Sequence, residues 1–154
     1  MNGKIFLSMA ALLWAAAEDL RCRRIPNGCI AVLAGLKPAE LLSAVCVGTL
    51  QPAGAFWAFG RAFLKGAVVF LLLLMLRVLT AGGIGMGDIK LFAVLGMAYG
   101  LQAAWRIFTG SFLLCAAICA VLILTGQKNR RETLPLGPFV CAGYLLMIFG
   151  KGVP

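Results

Sequence analysis

At 154 residues the chain is long enough for one domain, and at 62% hydrophobic with a mean hydropathy of +1.00 it is too apolar for an ordinary water-soluble one. Its 14 Lys and Arg against 5 Asp and Glu leave a formal charge of +9. In so apolar a chain that excess points to basic loops that set orientation and touch membrane lipid, with no nucleic acid partner. Histidine is absent, which excludes Ser-His-Asp and Cys-His catalysis, HExxH zinc peptidases and histidine proton relays.

The apolar runs are continuous rather than alternating, which predicts an all-α polytopic membrane helix bundle and not a β-barrel. A spanning helix needs about 20 apolar residues. Residues 4–20 fit the first. Their stretch "GKIFLSMAALLWAAAEDL" has the length of a secretory signal, but further apolar spans follow, so it reads as a membrane helix. The loop "EDLRCRRIPN" comes next. The stretch "IPNGCIAVLAGL" rises only about 18 Å, too short to cross alone. Lys37-Pro38 is expected to break it, and "AELLSAVCVGTL" resumes before Gln51-Pro52. If Asp19 and Asp88 work together, an even number of crossings must separate them, so the second crossing is predicted as a short or interrupted helix within 25–50. The remainder lies at the interface or completes the same crossing. Residues 61–80 are the clearest span, and 88–104, 107–126 and 134–150 supply three more. The count is six transmembrane helices.

Basic residues orient the bundle. Arg21, Arg23 and Arg24 follow the first helix, and Lys128, Arg130 and Arg131 follow the fifth. With six crossings both clusters and the 81–88 turn share one side, which the positive-inside rule makes the cytoplasm. The excess is modest, because Lys4, Lys37, Arg61, Lys65, Arg106 and Lys151 fall on or near the other side. The six cysteines, at 22, 29, 46, 115, 119 and 141, form no CxxC pair. They read as small buried hydrophobes, with no zinc site or disulfide framework.

Glu18, Asp19, Glu40, Asp88 and Glu132 are the whole acidic complement. Serine occurs only at 8, 43 and 111, each in an apolar context, which argues against Ser-Lys chemistry. Asp19 stands where the first helix meets the basic loop, and Asp88 where the fourth begins. Each has a plain structural alternative. Asp88 is placed to cap its helix, accepting backbone N–H bonds, and Asp19 is placed to pair with Arg23 in water. Against this, ionisable groups at membrane depth are expensive and functional by default. Two at matching depths on one side strengthen the functional reading. Gly82, Gly83, Gly85 and Gly87 allow positive φ and leave the approach to Asp88 clear, more glycine than a plain turn requires. Pro26 after Ile25 predicts an extended residue and then a helix start, with Asn27 in its first turn. Pro135 and Pro138 in "LPLGPF" do the same for the sixth helix.

Together, "EDLRCRRIPN" (18–27), "GIGMGDIKL" (83–91) and "LPLGPF" (134–139) resemble the three signatures of the type IV prepilin peptidases, bacterial inner-membrane aspartic proteases of the GxGD class. The resemblance covers most of the chain, and the three motifs in this order are specific. It implies that Asp19 and Asp88 are the catalytic pair and that Gly85 and Gly87 are the GxGD glycines. Arg24, Pro26, Asn27, Lys90, Pro135, Gly137 and Pro138 match other motif positions, substrate-binding or site-shaping. It further implies a single transmembrane peptidase domain over 1–154, with no cofactor and no metal. The substrate would be a prepilin or pseudopilin, a basic leader followed by an apolar helix, cut at the cytoplasmic face. Many members carry an N-terminal methyltransferase region, and this chain resembles the short form that lacks it. Other readings are a preflagellin- or presenilin-like intramembrane protease, which shares the dyad, a small transporter or channel, and a non-catalytic assembly subunit. The "IPN" and "LPLGPF" turns favour the prepilin type. A transporter would call for polar residues in mid-span, where the runs are nearly uniformly apolar.

Overall fold

The structure is a computed structural model that describes residues 2–22, 24–125 and 135–150. These form six helices: α1 (Asn2–Cys22), α2 (Asn27–Cys46), α3 (Pro52–Leu79), α4 (Met86–Tyr99), α5 (Leu101–Leu124) and α6 (Gly137–Phe149). The protein is an all-α, multi-pass membrane bundle. Three helices, α2, α3 and α5, are long and apolar enough to cross a bilayer by length and composition. The α4 and α6 helices have 14 and 13 residues and rise only about 20 Å each, less than a hydrocarbon core of about 30 Å.

Helix α4 is the centre. Beyond Asp88 and Lys90 near its start it is apolar all round, with no face suited to water. Ile89, Leu91, Phe92 and Leu95 are fully buried, enclosed by α2, α3 and α5. Helix α1 packs against α6 and α2, and α6 against α5. Small residues let backbones close on one another, as is usual where lipid and core are equally apolar. A side chain on Gly66 of α3 would start 2.9 Å from the Ala93 carbonyl of α4, and one on Gly96 would meet Val69 at 2.8 Å. Outward-facing Phe56, Trp57, Phe63, Leu71 and Leu113 are exposed, as suits a surface solvated by lipid.

Several boundaries differ from the sequence expectation. Lys37-Pro38 does not break α2, which runs through Pro38 from Asn27 to Cys46, so both halves belong to one crossing. The missing Pro38 N–H costs one helix bond. Beyond it the helix is fastened by Glu40, which accepts from Lys37 at 3.2 Å and from Lys4 of α1 at 2.8 Å. Helix α3 starts at Pro52, not at 61, because proline at the helix start needs no N–H partner. The α4–α5 break falls at Gly100, not near Arg106. Gly100 has φ of 91°, open to glycine but strained for other residues, while exposed Arg106 extends its charge away from the apolar body of α5. Cys29 and Cys141 are buried, but Cys22 and Cys46 are exposed, so burial does not describe all six. The basic cluster Lys128, Arg130 and Arg131, with Arg23, Glu132, Leu134 and Lys151, lies outside the described residues.

The helices alternate in direction. At one end Lys4 of α1 donates to Glu40 late in α2 and to the Ala98 carbonyl late in α4. Ser8, Tyr99 and Tyr144 join hydroxyls near that end, a buried polar cluster within spans read as nearly uniformly apolar. At the other end lie the last turn of α1 and the first turns of α2, α4 and α6.

Candidate active site

The last turn of α1 carries Asp19, which is only 7% exposed. Burying a carboxylate is costly unless it is hydrogen-bonded. Here the partner is the backbone N–H of Gly137, which donates to Asp19 Oδ2 at 2.7 Å. That N–H belongs to the first turn of α6, where backbone donors have no partner within the helix. Pro138 follows directly and has no N–H of its own to offer. The fit is close: a Cβ on Gly137 would stand 3.0 Å from both Ala16 Cα and Asp19 Cβ.

Asp88 is the third residue of α4, and Gly85 is the N-cap. Asp88 is therefore not the N-cap residue, but from the third helical position its carboxylate still engages the backbone at the helix start. The Asp88 carboxylate turns back toward the Gly85 backbone, so that a Cβ on Gly85 would come within 2.8 Å of Oδ2. The glycines serve close approach more than unusual φ. Positive φ occurs at Ala81 and Gly82, whereas Gly85 has φ of −65° and Gly87 is helical. A Cβ on Gly87 would meet Ile25 at 3.3 Å. The turn is held from behind by Arg77, whose guanidinium donates to the Ile84 carbonyl.

The third turn is Ile25-Pro26-Asn27. Pro26 is extended at φ −68°, ψ 135° and is the N-cap of α2, with Asn27 the first helical residue, as the sequence predicts. Its carbonyl accepts from Cys29 N at 3.1 Å. Ile25 packs on Gly87, which brings the α1–α2 loop against the start of α4.

These turns enclose a cavity of about 330 Å³. Asp19, Arg24, Asn27, Gly85, Gly87, Asp88 and Lys90 all line it. The two carboxylates lie within Coulombic reach of each other, with two cations in the same cavity. Pro26, Pro135, Gly137 and Pro138 do not line it. Pro26 and the α6 start support it from behind. Sequence reasoning missed Ile25 and Met86, which complete the lining, and Arg77. A lone charge in the last turn of a long apolar span was the available signal for Arg77. The pairing of Asp19 with Arg23 falls outside the described residues. Among the described residues no cluster of three or more acidic or Cys side chains is placed to hold a metal ion.

Two acids, one at the end of α1 and one at the start of α4, are thus gathered by glycine and proline turns. The profile of the Type IV leader peptidase family matches residues 6–124. A prepilin leader peptidase/N-methyltransferase of Bacillus subtilis is 35% identical over 151 residues, covering 97% of this chain and 56% of that protein. One from Burkholderia pseudomallei is 30% identical over 91% of this chain and 44% of its own length. The leader peptidase HopD of Escherichia coli is 28% identical over 88% of this chain and 83% of its own. The chain thus spans about half the length of the first two relatives and most of the third. No solved structure gives a significant match. With the family profile covering α1 to α5 and both carboxylates inside it, the chain belongs to the Type IV leader peptidase family.

Proposed function

We propose that this chain is a membrane-embedded aspartic endopeptidase that uses Asp19 and Asp88 to remove the leader from prepilin or pseudopilin substrates. The observation that carries the reading is the meeting of those two carboxylates in one cavity at the mouth of the bundle. Family membership and the leader-peptidase relatives point the same way. The cavity stands beside an apolar bundle, which suits a substrate whose basic leader precedes an apolar helix. The arginines at the end of α1 favour a cytoplasmic location for this end in a bacterial inner membrane.

The chemistry needs one proton shared by the pair. Two adjacent carboxylates repel when both are charged, so a singly protonated dyad is the working state. The ionised member takes a proton from water as its oxygen attacks the scissile carbonyl carbon. The protonated member donates to the carbonyl oxygen. As the C–N bond breaks, a proton passes to the amine nitrogen, leaving a free acid, a free amine and a dyad with one proton again. Gly85 and Gly87 leave room for the substrate backbone beside Asp88, and Arg24, Asn27 and Lys90 are placed to hold its polar groups.

The test is incubation of the purified full chain in lipid with a prepilin, followed by mass analysis. A product shortened by its leader supports the reading. An intact prepilin in the presence of folded protein, with cleavage by a known leader peptidase alongside, overturns it.

A further inference from the structure

We propose that the end of the bundle opposite the carboxylate pair binds one anionic phospholipid, with its phosphate in a basic cavity and an acyl chain in an adjoining groove. The cavity measures about 360 Å³ and holds Lys4, Lys37, Arg61 and Lys65 with Glu40 as its one carboxylate. Glu40 already engages Lys4 and Lys37, at 2.8 and 3.2 Å. Arg61 and Lys65 form no ion pair among the described residues. Their spacing of four places them on one face of α3, so two cations are directed at the same space. An oxyanion with several acceptor oxygens, such as a phosphate, satisfies that arrangement.

The second half of the site is apolar. A groove of about 370 Å³ runs between α3 and α4, walled by Phe63, Phe70 and Val94, with Gly66 at its floor where the two helices touch. Met97 lines both spaces, so the groove continues from the basic cavity. From Arg61 to Phe70 the helix rises about 14 Å, which matches much of an extended acyl chain. Charge at one end and an apolar channel leading from it toward the bilayer centre are the two halves of a phospholipid. A zwitterionic lipid fits the groove but brings an ammonium group to a cavity where four cations face one carboxylate. The site therefore selects for net negative charge.

The test reads lipid retention, not cleavage, so it stands or falls apart from the peptidase reading. The full chain in detergent micelles is titrated with phosphatidylglycerol or phosphatidylcholine of matched acyl chains, and bound lipid is counted by native mass spectrometry. One phosphatidylglycerol should be retained with a roughly tenfold preference, from about a fivefold effect per nearby cation reduced by detergent competition. Arg61→Gln with Lys65→Gln should remove most of that preference, and Arg61→Gln alone part of it. Arg106→Gln, on α5 outside the cavity, should leave it intact. Ala67→Phe, which narrows the groove, should weaken both lipids alike. Equal retention of the two lipids by the unaltered chain overturns the proposal, as does a preference that survives the double variant. Displacement of phosphatidylglycerol by an equal concentration of glycerol 3-phosphate also overturns it, because the ligand is then a soluble phosphate.

Discussion

The Gly137 backbone N–H donates to Asp19 Oδ2 at 2.7 Å and joins the end of α1 to the start of α6 across 118 positions of sequence. This bond orients one carboxylate of the candidate site. Because α6 reaches it through its own first turn, the geometry of Asp19 depends on how closely α6 can approach α1. Gly137→Ala would place a methyl 3.0 Å from Asp19 Cβ and Ala16 Cα. Overpacking of this kind costs about 1–3 kcal/mol, and displacement of a reacting group by about 1 Å costs on the order of 10²-fold in rate. The variant should remain folded and lose most of its prepilin cleavage. Full turnover with unaltered thermal stability would contradict this.

Asp19→Asn and Asp88→Asn keep size and hydrogen bonding but cannot hold a negative charge or shuttle a proton. Each should lower cleavage by roughly 10²–10⁴-fold, the usual worth of general acid–base catalysis. The double variant should be little worse than either, since groups acting as a unit are non-additive. Glu18→Gln is the control, as Glu18 does not line the cavity. Substantial cleavage by either Asn variant would rule out the aspartic mechanism.

Gly85 and Gly87 should fail differently. In Gly85→Ala the new methyl meets only the Asp88 carboxylate, 2.8 Å from Oδ2, a side chain that can swing aside. Stability should hardly change while turnover falls. In Gly87→Leu the bulk meets Ile25, a neighbour in a proline-fixed turn, so stability should fall by about 1–3 kcal/mol together with activity. Adding Ile25→Ala should recover part of the stability. Thermal denaturation beside a cleavage assay separates the two cases. Equal stability losses would show that Asp88 is not free to move.

Topology is open to a direct check with two native thiols. Cys22 and Cys46 are both exposed and lie at opposite ends of the bundle. In single-cysteine variants of intact cells, an impermeant thiol reagent should label Cys46 and miss Cys22. Inverted vesicles should reverse the pattern. Labelling of Cys22 from outside would place the carboxylate end on the outer face.

The sequence by itself determined that the chain is an apolar helical bundle and where its proline and glycine punctuation falls. That Asp19 and Asp88 share one end was a premise of the crossing count, and the packing of α1 and α4 around one cavity decides it. Helix starts at Pro26 and Pro138 were legible because proline acts within one turn. Tertiary structure decided the rest. Pro38 reads locally as a break, yet α2 runs through it from Asn27 to Cys46, packed against α1, α3 and α4. Gly85 and Gly87 read as glycines of both positive φ and close approach; their φ values are ordinary, and it is the Asp88 carboxylate and Ile25 that crowd any side chain placed there. The amide that holds Asp19 and the basic cavity around Arg61 leave no local mark, because their partners come from distant helices. Periodicity and turn chemistry act over a few residues, whereas these contacts exist only once the helices pack.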